Sequence, residues 1–166
     1  GNHSRLADSY LNPYPGYYLT GDGGYIGQEG YVFVMGRTDD VINVAGHRLS
    51  TGEMEEVVAA HPAVAECAVV GIADELKGQI PLGFVILKDG VSQSHEDVVS
   101  ELIASVRSSI GAVACFNQAI IVERLPKTRS GKILRAILRK IADGEPYTPP
   151  STIEDPTVLE EIGRRF

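Results

Sequence analysis

The chain has 166 residues, 43% of them apolar and 22% charged, and a formal net charge of −7; this is the composition of one globular domain, or of a small domain plus part of another. No apolar run is long enough to span a membrane, and the acidic balance argues against general binding to nucleic acid. The two cysteines, Cys67 and Cys115, lie far apart and without metal-ligand spacing, which predicts two free, partly buried thiols in a reducing compartment.

The opening GNHSRLADSY has no initiator Met and no signal-peptide layout, so the chain is expected to be a fragment cut at a cloning or proteolytic boundary. Residues 1–16 are polar and are broken by Asn12-Pro13 and Pro15-Gly16. Two β-rich runs, YYLTGD and GYVFVMGR, then predict a hairpin around a Gly-rich turn. In TDDVINVAGHRLS the apolar Val41, Ile42 and Val44 lead into a tight turn at Ala45-Gly46. Ser50-Thr51-Gly52-Glu53 has the form of a capping box and predicts a helix that ends before Pro62.

AVAECAVVGIAD and QIPLGFVILKDG are apolar strand candidates on either side of a polar loop, DELKG. Ser94 starts a second predicted helix, in which Val98, Val99, Leu102, Ile103, Val106 and Ile110 form a stripe of period 3.6 before Gly111. QAIIVERLP predicts another strand and TRSGK a loop. Ile133, Leu134, Ile137, Leu138 and Ile141 predict a last amphipathic helix ending at Gly144. The tail from Glu145 carries four prolines and is expected to run extended over the surface. There is no internal repeat. The expected fold is α+β: a small domain with a three-stranded sheet, a short N-terminal hairpin and flanking helices. Its expected divisions are residues 1–38 (the closing hairpin of something larger), 39–144 (the domain) and 145–166 (the tail).

Seven of the 15 Lys and Arg residues lie between Arg124 and Lys140, a segment without Asp or Glu. In an otherwise acidic chain that asymmetry suits an anionic small molecule better than a duplex. Several familiar sites are absent from the pattern. Ser130-Gly131-Lys132 lacks the upstream Gly and the following Ser or Thr of a nucleotide P-loop. Ile26 stands where a dinucleotide fingerprint needs its third Gly. His3, His47, His61 and His95 form no metal-binding pair, and no Ser, His and Asp group stands out by spacing. Four separated features remain, each with a plain alternative. Asp22, in Thr20-Gly21-Asp22, could accept hydrogen bonds from two vicinal hydroxyls, or could be a turn residue. Arg37-Thr38-Asp39-Asp40 could be a hinge between units, or a solvated junction. Ala45-Gly46-His47-Arg48 offers close backbone approach plus a cation, or is an ordinary hairpin turn. Lys132, in a Gly-containing loop before a helix, could meet a phosphoryl oxygen whose charge grows during reaction, or could be a solvated loop Lys.

Taken together, YYLTGDGGY, EGYVFVMGRTDDVINVAGHRLSTGEMEE, VVGIAD, VRSSIG and LPKTRSGKILR resemble, in order, the C-terminal part of the AMP-forming acyl-CoA synthetases, members of the adenylating-enzyme superfamily. The resemblance covers nearly the whole chain from Tyr14. It is closest to the short-chain synthetases for acetate and propionate. NVAGHR, where acetyl enzymes usually resemble NVSGHR, and the tail STIEDP lean towards propionate.

The resemblance implies a ligase working in two steps with ATP, Mg²⁺ and CoA. A carboxylate attacks the α-phosphate of ATP, giving acyl-AMP and pyrophosphate; the CoA thiol then attacks the acyl carbon and releases AMP. It also implies that the C-terminal domain rotates between steps. Asp22 would bind the ribose hydroxyls, Arg37 the ribose or phosphate, and Asp39 would be the hinge. Lys132 would be the adenylation lysine and a candidate acylation site. Ala45, Gly46 and His47 would line the CoA tunnel, Arg48 would stay near the phosphate, and Arg107 would meet the 3′-phosphate of CoA. Ala45 stands where relatives have a Ser that could hydrogen-bond CoA, and Gly27 where they often have Asp. Arg135, Arg139 and Lys140 are expected to be the wet face of the last helix.

The implied partners are an N-terminal adenylating domain, a small carboxylate, CoA, and a lysine acyltransferase and deacylase, in a bacterial cytoplasm or a mitochondrial matrix. The family's phosphate loop, adenine pocket, acyl pocket and Mg²⁺ site lie upstream, so this chain alone is expected to make no acyl-AMP. The alternatives are an adenylating domain that serves a carrier protein, and a stand-alone CoA- or partner-binding module.

Overall fold

The computed structural model describes residues 6–166, so the expected boundary at GNHSR lies outside the described residues. The chain divides into two compact units, Gly1–Asp40 and Val41–Phe166.

In the first unit a π-helical turn, Ala7–Leu11, precedes an antiparallel hairpin of β1 (Asp22–Ile26) and β2 (Val32–Arg37). The run YYLTGD is therefore not the first strand: Asp22 begins that strand instead of ending one. The strand takes in Gly23 and Gly24, where the register slips by one residue. A Cβ on Gly24 would lie 2.4 Å from the Phe33 carbonyl oxygen, so only glycine lets the two backbones pair there. The turn is closed by Gly27 N–H donating to the Tyr31 carbonyl (2.8 Å) and Gly30 N–H to that of Gly27 (2.9 Å). A Cβ at Gly27 would press on Phe33 Cε2 at 3.0 Å.

The second unit is α+β. Strands β3 (Val41–Val44) and β4 (His47–Ser50) form a hairpin. Helix α1 (Thr51–Ala59) follows at once, with the Ser50 hydroxyl capping Glu53 N–H. Strands β5 (Val64–Asp74) and β6 (Gly78–Leu87) form a long antiparallel pair. Helix α2 (His95–Ser109) is capped by Ser94, as its sequence predicts. Strand β7 (Ala119–Ile121) runs parallel to the middle of β6. Helix α3 (Arg135–Ala142) and a fourth helix, α4 (Thr157–Gly163), complete the unit. The hairpin and the three-stranded sheet are not separate. The pair Val44↔Gly78 joins them into one five-stranded sheet, ordered β4-β3-β6-β5 with β7 also on β6.

Both faces of this sheet are covered, which is why its strands read as near-continuous apolar runs. Alternation along β5 sends Cys67 and Val69 to one face and Ala68 and Val70 to the other. The first face packs on Met54 and Val58 of α1 and on Val98, Leu102 and Val106 of α2. The second packs on Ile137, Leu138 and Ile141 of α3. The tail is not simply extended. Val158, Leu159 and Ile162 of α4 are buried in this second layer, and their spacing is that of one apolar helix face.

Candidate functional site

Asp22 and Arg37 are directly paired across the first hairpin. Arg37 Nη1 lies 3.7 Å from Asp22 Oδ1 and donates to the Thr20 carbonyl at 3.2 Å. Both side chains are about two-fifths exposed (41% and 43%), so a carboxylate and a guanidinium face solvent side by side. The cation is held against the backbone at Gly21, where a Cβ would sit 2.8 Å from Arg37 Nη2. Thr38 then donates through both N–H (2.8 Å) and hydroxyl (3.0 Å) to the Gly21 carbonyl. Asp39 lies in the 3₁₀ turn Thr38–Asp40, one residue from the division between the units after Asp40; its side chain lies outside the described residues.

Ala45 and Gly46 form the two-residue turn of the β3–β4 hairpin with φ of 48° and 88°. Positive φ at both positions is what a type I′ turn demands, and it leaves Ala45 in a conformation that a Cβ disfavours. A Cβ on Gly46 would meet nothing within 4 Å, so inside this unit the glycine answers to backbone angle and not to space. Ala45 N–H donates to the Lys77 carbonyl at 2.8 Å, which pins the turn to the β5–β6 connection. Ala45, Gly46, His47 and Arg48 are all exposed. Arg107 is exposed in the last turn of α2.

Lys132 closes a compact loop. Thr128 N–H donates to its carbonyl (2.8 Å), its N–H donates to Thr128 Oγ1 (3.1 Å), and Lys127 bridges Ile133. Gly131 supplies the positive φ of 83° that the turn requires. The Lys132 side chain is exposed, and no described hydrogen bond or ion pair holds its ammonium. The other cations of the segment divide. Arg124 reaches Asp155 (2.7 Å), Glu161 and the Thr157 hydroxyl (3.2 Å). Lys127 pairs with Glu66 at 2.7 Å.

Arg135 is not on the wet face of its helix. Its Nε and Nη2 donate to the two oxygens of Glu55 at 2.9 and 2.8 Å, with 28% and 17% of the two side chains exposed. Glu55 also accepts Val69 N–H at 2.8 Å. Arg129 and Arg139 are exposed.

The two loops are anchored at opposite ends of one strand pair. Lys127 is tied to Glu66, near the start of β5, and the Ala45-Gly46 turn to Lys77, just past its end at Asp74. Eight residues of extended strand separate Glu66 from Asp74, about 26 Å.

Two perturbed groups lie beside this framework. Thr157, through its hydroxyl and N–H, and then Arg124 hold Asp155 down to about 2. Burial, then the nearby Glu55, pushes the Cys67 thiol up to about 11. Among the described residues, no three His, Cys, Asp or Glu side chains gather as metal ligands. Nor is any helix among them long and apolar enough to cross a membrane.

Residues 53–132 match the family model of the AMP-binding enzyme C-terminal domain. An uncharacterized protein of Pseudomonas aeruginosa is 66% identical over 98% of this chain and 26% of its own length. The mitochondrial acyl-CoA synthetase short-chain family member B of Dictyostelium discoideum is 55% identical over 99% of this chain and 24% of its own. A crystal structure of a Brucella canis acyl-CoA synthetase superposes with a TM-score of 0.58 at 41% identity, over 76% of this chain and 23% of that one. The chain thus spans about a quarter of the length of these relatives. It belongs to the AMP-binding enzymes. Within them, it carries the C-terminal domain of an AMP-forming acyl-CoA synthetase.

Proposed function

We propose that this chain is the moving catalytic lid of a short-chain acyl-CoA synthetase, and that it presents a different loop in each half-reaction. The observation that carries this reading is the placing of two exposed loops at opposite ends of the β5–β6 pair. One loop holds a cation that no hydrogen bond or ion pair among the described residues engages, suited to phosphate. The other is a bare backbone turn beside His47 and Arg48. Anchors about 26 Å apart along a strand cannot both serve one reaction centre in one pose. Either loop can serve it if the domain turns, and Asp39 beside the division between units is the natural hinge.

In the first half-reaction Lys132 bridges the carboxylate and the α-phosphate of ATP. An ammonium fixed by its backbone, with no ion pair among the described residues to break first, stabilises the crowded phosphate. Asp22 accepts the ribose hydroxyls, and Arg37 beside it meets the ribose or phosphate. In the second half-reaction Ala45, Gly46 and His47 line the path of the CoA thiol, Arg48 stays near the phosphate and Arg107 takes the 3′-phosphate of CoA. The absent partner is an N-terminal adenylating domain carrying the nucleotide, acyl and Mg²⁺ sites. Short-chain specificity is supported by the Dictyostelium relative, and propionate over acetate by NVAGHR and STIEDP. A bacterial cytoplasm or a mitochondrial matrix suits the same relatives. The exposed Lys132 in PKTRSGK is open to a lysine acyltransferase and a deacylase, and its acylation would remove the cation of the first step.

The test is to express the full-length polypeptide and change Lys132→Ala. Carboxylate-dependent exchange of pyrophosphate into ATP should collapse, while thioester formation from supplied acyl-AMP and CoA should persist. Equal loss of both would refute the division of labour. Pyrophosphate release by the 166-residue chain alone would refute its dependence on the upstream domain.

A further inference from the structure

The loop bearing Lys132 does not stand alone. Its own bonds satisfy one edge of residues 127–129, through the Lys127 to Ile133 bridge and the Thr128 bond to Lys132. The other edge faces the C-terminal tail. Glu154 N–H donates to the Lys127 carbonyl at 2.9 Å, Arg129 N–H donates to the Thr152 carbonyl at 3.0 Å, and Thr128 bridges Ile153. Residues 127–129 are thus the middle strand of a three-stranded ribbon whose third strand is the tail. The tail is fixed immediately afterwards. Asp155 accepts from Thr157 N–H (3.0 Å), from the Thr157 hydroxyl (2.7 Å) and from Arg124 (2.7 Å). Arg124 also holds Glu161, one turn along α4. It enters from the stretch between β7 and the loop, so a single guanidinium ties the strand leading into the loop to the segment that covers it.

We infer that the C-terminal tail is part of the adenylation machinery, with Arg124 and Asp155 as positioning residues that act on Lys132 through the ribbon. This rests on Lys132 being the adenylation lysine. An ammonium on a flexible four-carbon stem gains precision only from its backbone. Here that backbone is bonded to Thr128, and the strand 127–129 is held on its other edge by residues 152–154. Displacement of reacting groups by about 1 Å costs about a hundredfold in rate. Releasing the tail should therefore slow the first half-reaction and leave the second, which uses the far end of the sheet, untouched.

The experiment uses the full-length polypeptide with Arg124→Met, Asp155→Asn, Arg124→Lys and, in parallel, Lys132→Ala. Backbone hydrogen exchange is read at Arg129 and Glu154, and each half-reaction is timed. For the Met and Asn variants the account expects faster exchange at both amides. It also expects a kcat for pyrophosphate exchange about tenfold or more lower, an unchanged KM for ATP and normal transfer to CoA. Arg124→Lys keeps the charge but not the fork and should recover part of the rate. Amides that stay protected, or that exchange freely while kcat holds, overturn the inference. So does equal loss of both half-reactions, which would mark general destabilisation. If Lys132→Ala loses adenylation and the Arg124 and Asp155 variants do not, only this inference falls. If Lys132→Ala spares adenylation, the reading beneath it falls as well.

Discussion

Glu55→Ala should be the most destabilising single change among the charged residues described above. The Glu55 carboxylate, 17% exposed, receives two bonds from Arg135 and one from Val69 N–H. Val69 is fully buried, so its N–H would have no water to turn to, at a cost of about 1–1.5 kcal/mol. Arg135 is 28% exposed and can partly rehydrate, so losing its charge-assisted pair takes the low end of the usual range, about 1.5 kcal/mol. The expected loss is about 3 kcal/mol, read from the urea midpoint of the second unit at constant slope. Arg135→Met leaves Val69 N–H satisfied and should cost only about half as much. Arg139→Ala, at an exposed position of the same helix, should stay within about 0.5 kcal/mol. A Glu55→Ala loss below about 0.5 kcal/mol, or one equal to that of Arg135→Met, would refute the assignment of two separate bonds to this carboxylate.

Gly83→Ala should cost about 1–3 kcal/mol, because the added Cβ would sit 2.8 Å from Phe116 Cζ and 3.2 Å from Ala119 Cβ; urea unfolding measures it. Ala45→Gly should leave stability unchanged or raise it by up to about 1 kcal/mol, since it removes the Cβ from a residue at φ 48°. Asp155, held at about 2 against an ordinary value of 3.8, contributes stability that is complete above its unfolded value and lost as pH falls through about 2. The acid limb of tail unfolding, followed by hydrogen exchange at Glu154, should therefore flatten in Asp155→Asn. Cys67, raised from 9.0 to about 11, contributes stability that is complete below its unfolded value and lost as pH rises through about 11. Cys67→Ala should flatten the alkaline limb of the urea midpoint.

Much of this fold was legible because its signals are local. Ser50 and Ser94 cap the helices they announce, and the α2 stripe buries Val98, Leu102 and Val106. Ala45-Gly46 makes the turn that its flanking apolar alternation requires. What stayed hidden depends on partners distant in sequence. Arg135 looks like a surface cation within its helix, and the approach of Glu55, 80 residues away, draws it in. The tail looked extended because four prolines dominate its composition. Yet Val158, Leu159 and Ile162 already carried a short helical face, and Asp155-Pro156-Thr157 its start. The first strand begins later than its β-rich residues predict, because Gly23 and Gly24 resemble turn residues while their lack of side chains serves close pairing with β2. The basic segment posed one question, and the structure divides it. Arg124, Lys127 and Arg135 hold the framework together, and Lys132 is left exposed at the tip of a braced loop.

The most direct test of two loops serving two half-reactions is a reciprocal one in the full-length polypeptide. Lys132→Ala and Gly46→Leu are each timed in pyrophosphate exchange and in acyl transfer from acyl-AMP to CoA. A Cβ at position 46 meets nothing within 4 Å, so beyond the backbone cost of positive φ the effect of Leu reports on what the exposed turn approaches. The account predicts that Lys132→Ala loses the first reaction and keeps the second, and that Gly46→Leu does the reverse. Two variants that fail in the same half-reaction would contradict it.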